Sequence, residues 1–248
     1  MAPDGFGAVT GTSALMSVVV PLLIVGGVAL VVYGVVTNYR NSKRRRAAIA
    51  GTVAAHNLGY VPTDPARTAI FGSPPFGVGD HRRATDVVWG TLSGAAFETF
   101  AYSYETHTTD SKGNRHTTVH RFQVTWVPLP APLSTMRLTA DNALWRLFSK
   151  MGARDLNVES HEFNQRWKVW CESERLGHAM LTPRMIERFL APDVAGRGFV
   201  FEGAALMSYA QGVSDLSDIE SVVAMLHEIA GQIPGFLLTG PDDAPSEG

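Results

Sequence analysis

The feature that most constrains this chain is an uncharged apolar run near its N-terminus, residues 14–36. None of its 23 residues is charged. As an α-helix rising about 1.5 Å per residue, the run is roughly 34 Å long, enough to cross a hydrocarbon core of about 30 Å. A helix also satisfies its own backbone polar groups in lipid. The sequence therefore predicts a single N-terminal transmembrane helix.

The residues that flank the apolar run predict its orientation. Asp4 is the only charged side chain before it, and a basic cluster follows it closely. Because basic residues stay on the cytoplasmic side, we expect a single-pass protein of the cell membrane with its N-terminus outside and its C-terminal domain in the cytoplasm. A cleaved signal peptide is the alternative, but its positive charges would precede the run. Anionic lipid headgroups are the expected partners of the cluster, at about 1 kcal/mol per residue. The cluster comprises Arg40, Lys43, Arg44, Arg45 and Arg46.

The rest of the chain has the size of one ordinary domain. Five of the 21 basic residues and one of the 23 acidic residues precede Ala47, which leaves 16 basic and 22 acidic residues and a formal charge of −6. This charge argues against nucleic acid as a partner. Cys171 is the only cysteine, so an intrachain disulfide is impossible. We divide the chain into a disordered N-terminus (1–13), the transmembrane helix (14–36), a basic juxtamembrane helix (37–60), a cytoplasmic domain (61–239) and a disordered tail (240–248).

Alternating apolar residues predict an antiparallel sheet in the domain. Residues 97–109 and 115–128 alternate on either side of a turn at residues 110–114, which is typical of a long β-hairpin. Its distal end, residues 106–118, is almost wholly polar and should project into water. Further strands are predicted at residues 85–92, 136–139, 155–159, 167–171 and 198–209, after a loop rich in proline and glycine at residues 61–83.

Capping residues and apolar stripes predict the helices. Asp141 begins one helix, Ser160 a helical turn, Ser173 a helix over residues 174–180, and Thr182-Pro183 the next. A capping box at residues 217–220 precedes a last helix whose apolar stripe is Ile219, Val222, Val223, Leu226 and Ile229. The fold class that follows is α+β, with five or six antiparallel strands and helices packed against them.

No catalytic or cofactor motif occurs in the sequence, and we predict no catalytic, cofactor-binding or metal-binding residue. His116 and His120 share a strand face but lie about 13 Å apart, too far for one zinc ion. Pairing across the hairpin could add His107 to His116, giving two ligands at most. Cys171 alternates with Val169 in an apolar strand and is interpreted as a buried structural thiol rather than a nucleophile.

Five aromatic residues are candidates for a ligand pocket. Aromatic side chains at this spacing either line a pocket for a small molecule or peptide or fill the core, and both interpretations stay open. The five are Trp145, Phe148, Phe163, Trp167 and Trp170.

Three short segments carry a resemblance to a bacterial family. They are Glu-Phe-Asn at residues 162–164, Trp167-x-Val169, and Ala-x-Leu-Thr-Pro-x-Met at residues 179–185. Over residues 85–210 the chain resembles a group of uncharacterised bacterial membrane-tethered proteins with an N-terminal span and a cytoplasmic α+β domain. The resemblance implies a membrane-anchored single domain and carries no activity or catalytic residue with it.

Three functions are consistent with the sequence. The first is a membrane-anchored interaction or scaffolding domain with a protein partner and no enzymatic activity. The second is a tethered sensor that binds a ligand in the aromatic region, and the third is an enzyme without a familiar motif. A closed pocket with clustered titratable groups would favour the enzyme, and an apolar pocket without them would favour the sensor.

Overall fold

A computed structural model describes the backbone of residues 10–140 and 156–238, with the side chains of residues 10–26, 28, 31 and 38 excepted. The chain divides into two compact units, Met1–Ala48 and Ile49–Gly248. The predicted helix at Asp141 lies outside the described residues. So do the tail at residues 240–248 and residues 1–9 of the predicted disordered N-terminus.

The first helix, α1, spans Thr10–His56 and includes the apolar run and residues 37–56 of the predicted juxtamembrane helix. It ends four residues before the predicted boundary at residue 60, where Asn57 takes a left-handed φ of 52°. Within the described part of the chain, no helix is both long enough and apolar enough to cross a membrane. Most side chains of residues 14–36 fall outside that part. The transmembrane helix is therefore not supported here, and it stays a prediction.

In the described part of the chain, six antiparallel strands form one sheet, which confirms the α+β class and the antiparallel arrangement. The order along the sheet is β1-β2-β3-β4-β5, and β6 pairs with the other edge of β4. The predicted long hairpin is confirmed as β3 and β4. The strands are β1 (Gly59–Thr63), β2 (Asp80–Leu92), β3 (Ala95–Thr109), β4 (Arg115–Thr139), β5 (Lys168–Cys171) and β6 (Arg197–Gln211).

The predicted strands are wrong at two places, and both places contain proline. Residues 115–128 and 136–139 were expected to be separate strands, but they form the single strand β4 across Pro128, Pro130 and Pro132. Proline cannot donate to a ladder, and the pairing with β6 shifts register between Pro128 and Met136, where such residues are tolerated. The strand β1 was missed because it contains Pro62. It lies at the sheet edge, and Pro62 is skipped in its pairing with β2.

Four shorter helices are described: α2 (His161–Arg166), α3 (Glu174–Met180), α4 (Pro183–Leu190) and α5 (Ile219–Ala230). The predicted caps of α3 and α4 are confirmed, since the hydroxyls of Ser173 and Thr182 each accept a hydrogen bond from the backbone N–H three residues on, at 3.3 and 3.2 Å. The helical turn predicted at residues 160–164 is α2, which Ser160 caps in the same way at 3.3 Å. The predicted capping box of α5 is wrong. The Ser217 hydroxyl donates to Asp215 Oδ1 at 2.7 Å instead, and α5 begins two residues later.

The predicted strand at residues 155–159 is also wrong over its described part, residues 156–159, which is irregular. The side-chain amide of Asn164 makes the hydrogen bonds to this backbone that a neighbouring strand would make. Its Oδ1 accepts from Val158 N at 3.1 Å, and its Nδ2 donates to Val158 O at 2.6 Å. An asparagine amide that satisfies the backbone in this way removes the need for ladder pairing.

Each face of the sheet carries its own apolar core, because neighbouring residues of a strand point to opposite faces. On β6, Phe199 and Phe201 join the core under the helices, and Val200 joins the other. The stripe predicted for α5 is buried in the first core. The second core is aromatic and is covered by the loop after the short 3₁₀ helix Pro65–Ala69. The Glu202 carboxylate holds this loop by accepting from the N–H groups of Gly72 and Ser73 at 2.7 and 3.0 Å.

Candidate interaction surface

The β3–β4 hairpin extends beyond both of its neighbouring strands. Pairing with β2 reaches no further than Asp80 and Glu105, and pairing with β6 no further than Phe122 and Gln211. Residues 106–118 therefore form a ribbon of two strands that pair only with each other. We call residues 106–118 the ribbon tip. All of its side chains are exposed or half-exposed, as the polar sequence predicted.

Asp110 organises the turn of the ribbon tip. Its Oδ1 accepts from the backbone N–H groups of Lys112 and Asn114 at 2.9 and 2.8 Å, and Asn114 Nδ2 donates to Oδ2 at 3.0 Å. These hydrogen bonds, chiefly those from Asn114, lower the pKa of the Asp110 carboxyl. Gly113 completes the turn with a φ of 84°. The tip is thus an ordered protrusion with a defined polar surface, although nothing apolar is buried beneath it.

The histidines of the hairpin point in different directions. Register pairs His107 with Thr117 and Thr108 with His116, so His107 and His116 lie on opposite faces of the ribbon. They do not form the two-ligand pair considered from the sequence. His116 Nε2 lies 3.3 Å from Asp110 Oδ2. His120 stacks on Tyr104 with ring centroids 4.8 Å apart.

A groove of about 410 Å³ lies at the other end of the sheet, beside the 3₁₀ helix Pro65–Ala69. It contains an ion pair between Arg67 Nε and the buried Glu98, 2.8 Å from Oε1, and Trp126 Nε1 donates to the same oxygen at 3.3 Å. The side chain of Trp89, which is 42% exposed, forms a wall of this groove. This site was not predicted from the sequence, because Arg67 lies in the predicted loop at residues 61–83 and Glu98 on a predicted strand.

The described members of the predicted aromatic pocket do not line one cavity. Phe163 and Trp167 are buried in the core under the helices, and Trp167 contacts Phe189 and Phe199 edge to face. Trp170 lies on the other side of β5, with the guanidinium of Arg137 4.3 Å from its ring centroid. Trp145 and Phe148 lie outside the described residues. The role of these aromatic residues in ligand binding stays a prediction.

The predicted basic cluster lies in α1. Arg40, Lys43, Arg44 and Arg46 are exposed and Arg45 is half-exposed. Their contact with lipid headgroups stays a prediction.

Cys171 is a poor nucleophile. Its Sγ packs so closely on α3 that a Cβ at Gly177 would lie 2.6 Å from it. Burial raises the pKa of the Cys171 thiol to about 12, so it stays protonated at neutral pH. His161, ten positions before it in the sequence, has its Nε2 2.8 Å from Gln165 Nε2. These observations agree with the interpretation of Cys171 as a structural residue.

Comparison with known proteins identifies a fold neighbour. No protein-family model matches the chain, and no curated protein matches it. The fold is similar to that in the crystal structure of the mycobacterial trehalose monomycolate transport factor A, TtfA, with a TM-score of 0.50 and 12% sequence identity over 77% of this chain and 95% of that one. At this identity the likeness shows the fold alone. The resemblance to bacterial membrane-tethered proteins stays a prediction.

Proposed function

We propose that this chain is a membrane-tethered accessory protein whose cytoplasmic domain binds a protein partner through the ribbon tip. The observation behind the proposal is that residues 106–118 pair only with each other and are exposed or half-exposed. A polar ribbon held in one conformation by its turn costs little entropy to dock. Exposed loops on a rigid sheet are also a frequent location of binding residues.

The similarity of fold adds to this proposal. TtfA is by its title a transport factor for trehalose monomycolate. A factor assists a process, and an accessory role of this general kind fits a chain whose sequence contains no catalytic motif. Fold analogy alone does not transfer a substrate, so trehalose monomycolate is not part of the proposal.

The membrane tether is supported by the sequence of residues 14–36 and the basic residues that follow. We expect a C-terminal fusion to alkaline phosphatase, which is active only outside the cytoplasm, to be inactive in a bacterial host, and a C-terminal fusion to a fluorescent protein to be bright. The chain should also stay with the membrane after alkaline extraction. Phosphatase activity would reverse the topology, and release by alkali would refute the tether.

Shortening the ribbon tests the proposed binding element. We expect replacement of residues 108–116 by Asn-Gly to change the free energy of unfolding by less than about 1 kcal/mol, because the removed side chains are exposed. The two-residue turn then joins His107 directly to Thr117 and keeps the native register. Removing one residue fewer would pair His107 with His116 and turn every side chain of one strand to the other face.

The partner is first identified by photo-crosslinking of the unshortened chain in cells. A photoreactive amino acid at position 112, in the turn, should give a discrete crosslinked species, and the same amino acid at position 184, exposed on α4, should not. Affinity capture of that crosslinked partner should fall to background with the shortened ribbon. Ser93→Asn is the matched control, because it changes the turn at the opposite end of β3, where a φ of 49° suits asparagine. Unaltered capture, or unfolding of the shortened chain, would contradict the proposal.

The groove beside Trp89 favours a second function, the binding of a small ligand. Its volume of about 410 Å³ falls in the range of about 300–1,000 Å³ usual for small-molecule sites. Aromatic walls around the ion pair between half-exposed Arg67 and buried Glu98 would suit a ligand with an apolar body and a polar group. This function replaces the first if Trp89→Ala abolishes activity in cells while the shortened ribbon retains it.

A further inference from the structure

Three side chains of types that bind metal ions meet at the base of the ribbon, where the ribbon tip, through His107, adjoins β2. One ligand atom from each of His81, Glu105 and His107 lies within 4.8 Å of the other two. His81 Nδ1 is 3.2 Å from Glu105 Oε2. Glu105 and His107 are two residues apart on β3 and therefore share a face, whereas His81 comes from β2. From this cluster we propose a binding site for a divalent transition-metal ion of the zinc type.

The backbone before His81 is shaped to bring its side chain to β3. Gly79 and His81 have left-handed φ values of 63° and 49°, and the pairing of β2 with β3 is irregular between Asp80 and Arg83. A Cβ at Gly79 would clash with the carbonyl oxygen of Glu105, so only glycine allows this close approach. A non-glycine residue at positive φ beside a bulge is costly, and such features concentrate at functional sites.

A hydrogen bond orients the second histidine. His107 Nδ1 lies 2.9 Å from Thr117 Oγ1, directly across the ribbon on β4. With Nδ1 donating to this hydroxyl, the lone pair of Nε2 is left for a metal ion. Metal-binding histidines usually have such a partner on the nitrogen that does not bind the metal, and it fixes both tautomer and ring orientation.

The donor set selects the class of ion. Ligands of a tetrahedral zinc ion, at about 2.1 Å from the metal, are about 3.4 Å from each other. The His81–Glu105 separation of 3.2 Å already matches this value, and His81 and Glu105, with side chains 65% and 31% exposed, have room to adjust. Two imidazoles and one carboxylate suit zinc and the neighbouring divalent ions rather than calcium or magnesium. A water molecule would complete the coordination.

Such an ion would connect β2 to the base of the ribbon. Strand pairing with β2 stops at Glu105, although the rings of His81 and His107 already lie edge to face with centroids 6.4 Å apart. A metal ion held by both histidines would add a bonded link between β2 and the ribbon beyond the last strand pair. The site does not depend on the ribbon tip being a recognition element. Its failure would leave the proposed function intact.

The test is a titration of the full-length chain, purified in detergent without a polyhistidine tag and stripped with a chelator, by Co²⁺. We expect visible d–d absorption that saturates at a single equivalent and is displaced by Zn²⁺. His107→Ala and Glu105→Gln should weaken binding by about 10-fold or more, and Thr117→Val, which removes only the orienting hydroxyl, by about 10-fold.

His116→Ala is the matched control, since His116 lies one residue from Thr117 on the opposite face of the ribbon and should leave the affinity unchanged. Zn²⁺ should also raise the melting temperature of the wild type and of His116→Ala, but not that of His107→Ala. Absence of saturable binding in the wild type would overturn the proposal. So would equal weakening by His116→Ala, which would show that Co²⁺ binds surface histidines without a built site.

Discussion

Replacing Trp167 with alanine is expected to lower the free energy of unfolding by about 3–5 kcal/mol. Its side chain is 2% exposed and contacts the rings of Phe189 and Phe199, each with a centroid distance of 5.8 Å. The indole Nε1 also donates to Phe189 O at 2.9 Å in the buried interior. Alanine would leave a cavity between three elements and a buried carbonyl without its donor, and both effects add to the loss.

Trp170→Ala is the matched control for this prediction. The same residue type lies three positions away in the sequence, but it is half-buried, and its main described contact is the guanidinium of Arg137. We expect a loss of about 0.5–2 kcal/mol, the range of a cation–π contact. Urea unfolding, followed by the fluorescence of the remaining tryptophans, measures both variants. Similar small losses would mean that Trp167 lines a loosely packed pocket, which is the alternative considered from the sequence.

The second large effect is expected at the ion cluster of α4. The guanidinium of Arg188 is buried and forms two hydrogen bonds with Asp193, at 2.9 and 2.7 Å, and an ion pair with Glu228 at 2.9 Å. Replacing both acidic residues with alanine leaves a buried charge without a partner, for which we expect a loss of about 3–5 kcal/mol. Arg188→Met should cost less, about 1–2 kcal/mol, because the two carboxylates are more than half exposed and can be hydrated.

Adding Arg188→Met to the double alanine variant is expected to restore most of the lost stability, because it removes the unpaired charge. The denaturant midpoints of the single, double and triple variants test this order. If the double variant were no less stable than Arg188→Met, water would reach the guanidinium and the cluster would be a surface feature.

The same cluster should also respond to acid. The hydrogen bond from Arg188 lowers the pKa of the Asp193 carboxyl. The ionised Asp193 therefore stabilises the folded state fully above the ordinary aspartate pKa of about 4, and this stabilisation is lost as the pH falls through the lower pKa that Asp193 has in the folded state. The variant Arg188→Met should lack this part of the acid dependence.

The sequence predicted correctly those elements that are determined by residues close together in the chain. The alternation of residues 97–109 and 115–128 around a turn predicted the hairpin, and the hydroxyls of Ser173 and Thr182 predicted two helix starts. The absence of apolar residues from the ribbon tip predicted its exposure. In each case the favoured structure depends on residues within a few positions of one another.

The sequence did not predict the strands and sites that depend on contacts between residues far apart in the chain. Pro62 argued against a strand, and the prolines from Pro128 to Pro132 argued against one continuous strand. Pro62 is skipped in the pairing of the edge strand β1, and Pro128 lies at the start of a register shift between β4 and β6. The groove joins Arg67 to Glu98, and the proposed metal site joins His81 to Glu105 and His107. A sequence read in order does not place side chains from two strands beside each other until register is known. Register is set by the burial of whole sheet faces and by bulges such as the one at His81, and both arise only when the sheet packs.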